Sequence, residues 1–203
     1  MFVQVIKGKV SDRAAVKAHL DRWLDELSGG AEGWLGSTAG FTADGTFVGV
    51  IRFEDAEAAQ RNSDRPEQGA WWAEMAKLIE GEATFQDSSR VMVDVRGNPE
   101  DAGFVQLMQG GSTDPERAWK LMEEDDTDWS AFRPDIIGSI NIGHPDGRWT
   151  MVNYFTSEAE ARAGEQKEPT PEMQQMMEEL NSLADGPPTY IDITEPIYSS
   201  PRT

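Results

Sequence analysis

One segment of this chain occurs twice at a fixed spacing, and that repetition constrains the fold more than any other feature. The first copy runs Trp34-Leu35-Gly36-Ser37, turns at Asp44-Gly45 and leaves through Phe53. The second runs Ile136-Ile137-Gly138-Ser139, turns at Asp146-Gly147 and leaves through Phe155. Gly36 and Gly138, Asp44 and Asp146, and Phe53 and Phe155 each stand 102 residues apart (138 − 36, 146 − 44, 155 − 53). Phe2-Val3-Gln4 returns as Phe104-Val105-Gln106 at the same spacing, and the match continues as far as Met75 and Met177. A repeat of this length is a duplicated domain and not a solenoid. The 203 residues are enough for two small domains or one large one.

Within each copy the pattern predicts alternating strands and helices. Phe2 to Ile6 is short and β-rich. Ser11-Asp12 then offers an N-cap, and Val16, Leu20, Trp23, Leu24 and Leu27 recur at helical spacing until Gly29-Gly30. Trp34 to Phe41 and Thr46 to Phe53 form a hairpin about Asp44-Gly45, a pair that tolerates positive φ. Asp55 caps a short helix that Pro66 interrupts. The helix resumes with Trp71, Met75, Leu78 and Ile79 on one face and stops at Gly81. Thr84 to Val95 is extended, with a kink near Ser88-Ser89. The order is βαββαβ, a ferredoxin-like split βαβ unit. The second copy follows the same course. Thr113-Asp114 caps its first helix, the acidic run Asp125 to Asp128 frays it, and Met173, Met176, Met177, Leu180 and Leu183 mark its last. Tyr190 to Thr194 is the closing strand, with Pro196 at an edge. The expected boundaries are 1–96 for the first half, 97–103 for the linker and 104–203 for the second half.

In the third strand Phe47, Gly49, Ile51 and Phe53 alternate with Val48 and Val50, so both faces are apolar. Helices cover only one face of a ferredoxin-like sheet. Burying the other face is simplest if two such sheets pack together, which a tandem chain can do within itself. Phe53-Glu54-Asp55-Ala56-Glu57-Ala58-Ala59 and Phe155-Thr156-Ser157-Glu158-Ala159-Glu160-Ala161 mark the strand-to-helix junctions. With these junctions and the βαββαβ order, the chain resembles the dimeric α+β barrel proteins, and within them the antibiotic-biosynthesis-monooxygenase-like group. The resemblance spans nearly the whole chain, in two copies. It implies an α+β fold of two ferredoxin-like units packed as an intrachain barrel, with a pocket between sheet and helices in each half. It also implies the activities of that group: metal- and flavin-free oxygenation of aromatic polyketides, haem degradation, or ligand binding without catalysis. The group often carries a histidine shortly after the junction. This chain has Asn62 there, which joins the candidate ligand contacts, and no haem or other cofactor is expected.

Composition narrows the partners. There are 37 acidic and 18 basic residues for a net charge of −19, dispersed along the chain, so nucleic acid and anionic membranes are disfavoured partners. The apolar run at the N-terminus is too short for a signal peptide, and no stretch approaches a membrane span. The absence of cysteine excludes a disulfide or thiolate site and fits a cytoplasmic location. The two histidines are far apart, so no metal site is expected. No Gly-rich nucleotide motif is present. The expected partner is a small molecule, and the expected state is a monomer built as a pseudo-dimer, or a homodimer.

At the 102-residue spacing, His19 faces Leu121, Ile51 faces Asn153, Trp71 faces Met173 and Trp72 faces Gln174. Trp23, Trp34, Trp71 and Trp72 make the first half aromatic-rich. They can wall a flat ligand or simply fill a core. His19 can serve as a general base, or be a satisfied helix histidine. Asn141 and Asn153 are amides in otherwise apolar strands. They can meet a ligand carbonyl or enolate, or pair internally. The residues assigned to chemistry are therefore His19 and Asn153, with the first half expected to hold the better pocket. The functional expectation is a monooxygenase-like protein acting on an aromatic or polyketide-type ligand. The alternative is a non-catalytic ligand-binding or interaction protein of the same fold.

Overall fold

Four side chains fix where the principal helices start, and they fall at the same places in both copies. Asp12 Oδ1 accepts from the Ala15 amide (2.9 Å) and Asp114 Oδ1 from the Arg117 amide (3.1 Å). Asp55 Oδ1 accepts from Ala58 (2.7 Å) and Ser157 Oγ from Glu160 (3.2 Å). Each satisfies an amide that the first turn leaves without a helical partner. The computed structural model describes residues 1–202. Its first stretch runs β1 (Phe2–Val10), α1 (Arg13–Glu26), β2 (Trp34–Phe41), β3 (Thr46–Phe53), α2 (Ala56–Ser63), α3 (Pro66–Ala76), β4 (Ile79–Ser88) and β5 (Arg90–Val95). The second runs β6 (Phe104–Gly111), α4 (Pro115–Glu124), α5 (Trp129–Phe132), β7 (Ile136–Gly143), β8 (Arg148–Phe155), α6 (Glu158–Gly164), α7 (Pro171–Ser182), β9 (Thr189–Ile193) and β10 (Ile197–Ser199).

The chain forms two units, each with its own five-stranded antiparallel sheet. The orders are β10-β2-β3-β1-β4 and β5-β7-β8-β6-β9. Without its first-named strand, each sheet has the order of a ferredoxin-like βαββαβ unit. Gly36 and Gly138 occupy equivalent places, each just after a register shift opposite β3 or β8. Gly45 and Gly147 supply the positive φ of the two hairpin turns.

The compact units do not follow the sequence repeat. One comprises Met1–Ser89 with the segment from Glu195, and the other Arg90–Thr194. The repeat boundaries 1–96 and 104–203 mark copies of a motif, whereas backbone pairing assigns a strand to its neighbours. The extended stretch expected over Thr84 to Val95 breaks at Ser89. Its first part pairs with β1, and its second pairs with β7 in the other sheet. The C-terminal strand divides likewise. β9 pairs with β6, and after Pro196 β10 pairs with β2. The helix expected to carry Leu78 and Ile79 ends at Ala76, and Ile79 opens β4.

The spacing between the copies changes beyond α6. Pro66 and Pro171 begin equivalent helices, Gln4 pairs with Asp87 as Gln106 pairs with Asp192, and Gly81 and Gly186 share positive φ. Each of these relations needs a spacing of 105 (171 − 66, 192 − 87, 186 − 81), because the start of α7 lies 13 residues after that of α6 (171 − 158) and the start of α3 only 10 after that of α2 (66 − 56). Trp71 and Trp72 therefore correspond to Met176 and Met177, not to Met173 and Gln174, and Met75 corresponds to Leu180.

The two helix layers fill their sheets unequally. In the first unit Met75 is fully buried with Val16, Phe47 and Ile79, and Leu20, Trp71 and Trp72 pack around them. In the second, Leu121, Met122, Met176 and Leu180 are only half-buried, and Met177 is 43% exposed. Met75→Ala should cost about 2–5 kcal/mol, the usual range for a buried large-to-small change. Leu180→Ala should cost less than about half of that on the same principle. Urea denaturation measures both, and equal losses would contradict the difference in filling.

Candidate functional site

In the first unit the structure brings the sequence-derived aromatic residues into one chain of contacts. Trp34 meets Trp23 edge-on (4.8 Å between ring centroids), Trp23 meets Trp71 (6.4 Å), and Trp71 meets Trp72 (6.3 Å). His19 stacks on Trp71 at 4.7 Å with an interplanar angle of 12°. The polar atoms of His19, Trp23, Trp34 and Trp71 find partners within the chain, whereas none is seen for the Trp72 indole N–H among the described residues. His19 Nε2 donates to the Trp71 carbonyl (3.0 Å), and Trp71 Nε1 donates back to the His19 carbonyl (3.1 Å). Arg22 donates to His19 Nδ1 (3.3 Å), which fixes the imidazole as the Nε2–H tautomer. Trp23 Nε1 donates to Gln68 (2.6 Å) and Trp34 Nε1 to Ser37 (3.0 Å). Asn62 is buried, and its Oδ1 accepts from Arg65 (2.9 Å). With these polar groups occupied and their rings in mutual contact, His19, Trp23, Trp34 and Trp71 have the character of core packing.

Asn153 lies in the other unit, on a face of different character. Ala161 of α6 packs on Phe104 and Phe155, which identifies the face that the helices cover. Residues two apart share a face, so the ladders place two rows across it. One reads Asp94, Ser139, Asn153, Gln106, Asp192, and the next Met92, Asn141, Met151, Met108, Tyr190. Beyond them Trp149 lies against Gly110, where an added Cβ would come within 2.6 Å of the ring, and Trp119 lies against Gly143. Between the aromatic ends, Ser139, Asn141, Met151 and Asn153 are half-buried. Among the described residues no side chain hydrogen-bonds the side chains of Ser139, Asn141 or Asn153. At the edge, Gln106 donates to Asp192 (2.8 Å), and Asp192 is ion-paired with Arg162, whose guanidinium lies over Phe104. Burial alone would lower the Arg162 pKa. Hydrogen bonds with Asp192 and Glu165 outweigh it and raise the pKa above its ordinary value.

Ser139, Gln106, Asp192 and Arg162 were not among the residues singled out from the sequence. Gln106 entered the sequence reading only as part of the repeat, opposite Gln4. The informative contrasts were Asn153 against Ile51 and Arg162 against Gln60. A separate groove of about 660 Å³ runs beside α4, but its charges are largely paired with one another, as Arg90 with Glu116 and Lys120 with Glu124. No group of His, Asp and Glu side chains among the described residues is arranged to hold a metal ion. No described helix is long and apolar enough to cross a membrane.

No protein-family model matches the sequence, and no curated protein matches it. Solved structures do match, along the whole chain. A "putative monooxygenase" from Fusobacterium nucleatum is similar at a TM-score of 0.78 and 10% identity, with 98% of this chain and 94% of that one covered. A "putative monooxygenase" from Lactobacillus acidophilus is similar at 0.75 and 13%, covering 98% and 95%. An anthrone oxidase-like protein is similar at 0.67 and 10%, covering 100% and 94%. This is the tandem ferredoxin-like fold of the antibiotic-biosynthesis-monooxygenase-like proteins. At such identities the likeness is one of fold, so chemistry on the monooxygenase-like scaffold has to be argued from its residues.

Haem is a test case, because a haem-degrading enzyme from Listeria monocytogenes shares this fold. The residues present do not fit haem ligation. The position after the first junction is Asn62, occupied by Arg65, and both imidazoles are buried and hydrogen-bonded through Nε2, His19 to Trp71 and His144 to Thr150. Titration with haem should therefore give no saturable Soret shift. A stoichiometric shift that His19→Ala abolishes would contradict this.

Proposed function

We propose that the protein binds a flat aromatic or polyketide-type small molecule on the helix-covered face of its second sheet and acts on it as a monooxygenase-like protein. The observation that carries this reading is the set of three neighbouring polar side chains, Ser139, Asn141 and Asn153, half-buried and without intramolecular partners. Polar groups in a core are normally satisfied internally, and a ligand's oxygens supply what the chain does not. Met108, Met151 and Trp149 offer adaptable and flat apolar walls beside them. The first-half aromatic set, though larger in area, has the polar handles of His19, Trp23, Trp34 and Trp71 occupied, so we place the ligand in the second half.

In the catalytic form of this proposal, an acidic C–H of the ligand leaves as a proton and the Asn153 amide donates to the resulting enolate oxygen. The carbanion's electrons reduce dioxygen. One oxygen atom becomes the new carbonyl and the other leaves as water. The anthrone oxidase-like neighbour suggests anthrone as the first substrate to try. One observation favours the non-catalytic alternative. The two carboxylates on the polar row are already ion-paired, Asp192 with Arg162 and Asp94 with Arg96 (2.6 Å), so among the described residues of that row no free carboxylate stands beside Asn153.

Anthrone binding can be followed by tryptophan fluorescence. Asn153→Ala should weaken it about 3- to 10-fold, the equivalent of one net hydrogen bond, while Trp71→Phe leaves it unchanged. The reverse result would move the site to the first half. Dioxygen consumption with bound anthrone separates the catalytic from the non-catalytic form.

A further inference from the structure

The polar row contains a residue whose orientation is not free. Gln106 sits mid-strand in β6 and is 6% exposed. An amide side chain can usually present either its oxygen or its nitrogen. Here Asp192 removes the choice. A carboxylate paired with a guanidinium offers only acceptor atoms, so it is the Nε2 of Gln106 that faces Asp192 Oδ1, at 2.8 Å. Asp192 is in turn held by Arg162, which also bonds Glu165 at 2.9 Å. The Oε1 of Gln106 is thereby turned away from Asp192, and no donor among the described residues reaches it. Asn153 stands directly across the ladder from Gln106, with Ser139 beyond it. Neither has an intramolecular side-chain partner, so both remain free to donate or to accept.

The first unit lacks this device. Gln4 and Asp87 hold the same register, but Ile51 replaces Asn153, and Gln60 replaces Arg162 and donates to Asp64 (2.7 Å). The lock on Gln106 therefore belongs to the unit that also carries the unpartnered amides.

We infer that Gln106 determines the specificity of the site proposed above: held by Asp192 and Arg162, it presents a fixed acceptor that selects ligands with a hydroxyl group at that place. The inference rests on the second-sheet site. Directly opposed residues lie about 5 Å apart at Cβ, so the ligands selected carry a hydroxyl on the same edge as the oxygen that Asn153 meets. Hydroxylated polycyclic ketones meet this requirement. A ligand with a carbonyl or an ether oxygen against Gln106 would set two acceptors face to face and leave a buried group unpaired. Asp192 and Arg162 are positioning residues, since they act only through Gln106.

The test compares 2-hydroxyanthraquinone with 2-methoxyanthraquinone and unsubstituted anthraquinone, by tryptophan quenching on the full chain. The wild type should favour the hydroxyl compound over both others by about ten- to a hundredfold, the range for an unmatched buried acceptor. Gln106→Met and Asp192→Asn should each bring that ratio below about threefold, the second by letting the amide turn. Asn153→Ala should weaken all ligands alike and leave the ratio standing. Arg162→Lys, which keeps the charge, should retain most of it. If Gln106→Met does not fold, Asp192→Asn alone decides the matter, because it alters orientation without removing the amide. A wild type that binds all three equally, or a ratio that survives Asp192→Asn, overturns the inference while leaving the site in place. Failure of every ligand to bind overturns the site and the inference with it.

Discussion

The pairing of β5 with β7 is the interaction on which the candidate site depends. Arg90 to Val95 pair residue for residue with Gly143 to Gly138. Without them β7 would be the edge of its sheet, with a row of unpaired amides and carbonyls, and its register would rest on the β8 hairpin alone. A slip of one residue moves every side chain to the opposite face, and Ser139 and Asn141 would leave the helix-covered side where Asn153 lies. The strand that adds a second ladder against such a slip is the continuation of β4 beyond Ser89. β10, continuing from β9, caps β2 in the same way. Each edge is thus covered by a strand from the neighbouring stretch of chain.

The two copies share this backbone plan and differ in what fills it. In the first, Val16 and Met75 are fully buried against the sheet, and Leu20, Trp71 and Trp72 close over them. In the second, α4 is ten residues where α1 is fourteen, and the residues standing for Trp71, Trp72 and Met75 are Met176, Met177 and Leu180. Of these, Met176 and Leu180 are half-buried and Met177 is exposed, and the sheet face below carries amides and a hydroxyl, Asn141, Asn153 and Ser139, that are themselves half-buried. Duplication allows such a division of labour, because one copy can supply a well-packed core while the other carries the face proposed to meet a ligand.

Much of the fold was legible in the chain. The Asp-Gly turns, the caps at Asp12 and Asp114 and the βαββαβ order all follow from local chemistry, and the structure has them. The change in spacing after α6 was not legible. The methionines of α7 offer several plausible alignments with Trp71 and Met75, and the helix starts, the positive-φ glycines and the pairing of Gln106 with Asp192 decide among them. The exchange of strands escaped for a related reason. A kink at Ser88-Ser89 shows in the sequence, but a continuous β-rich run does not reveal that its halves belong to different sheets. At the site, Asn153 stood out as an amide in an apolar strand. Gln106 did not, because the orientation on which its proposed role rests is imposed by two residues far along the chain. The tryptophans drew attention by their area, whereas their satisfied polar atoms became visible only with the contacts in hand.

The central claim is that the helix-covered face of the second sheet is open to a ligand and that of the first is filled. The chain has no cysteine, so a single thiol can be placed at either of two equivalent positions, Asn153→Cys or Ile51→Cys. The rate of modification by a small aromatic thiol reagent then reports access to each face directly. The account predicts that the thiol at 153 reacts at least about tenfold faster than that at 51, a difference in opening energy of about 1.4 kcal/mol, and that anthrone slows the first reaction only. Equal rates, or faster reaction and anthrone protection at 51, would contradict it.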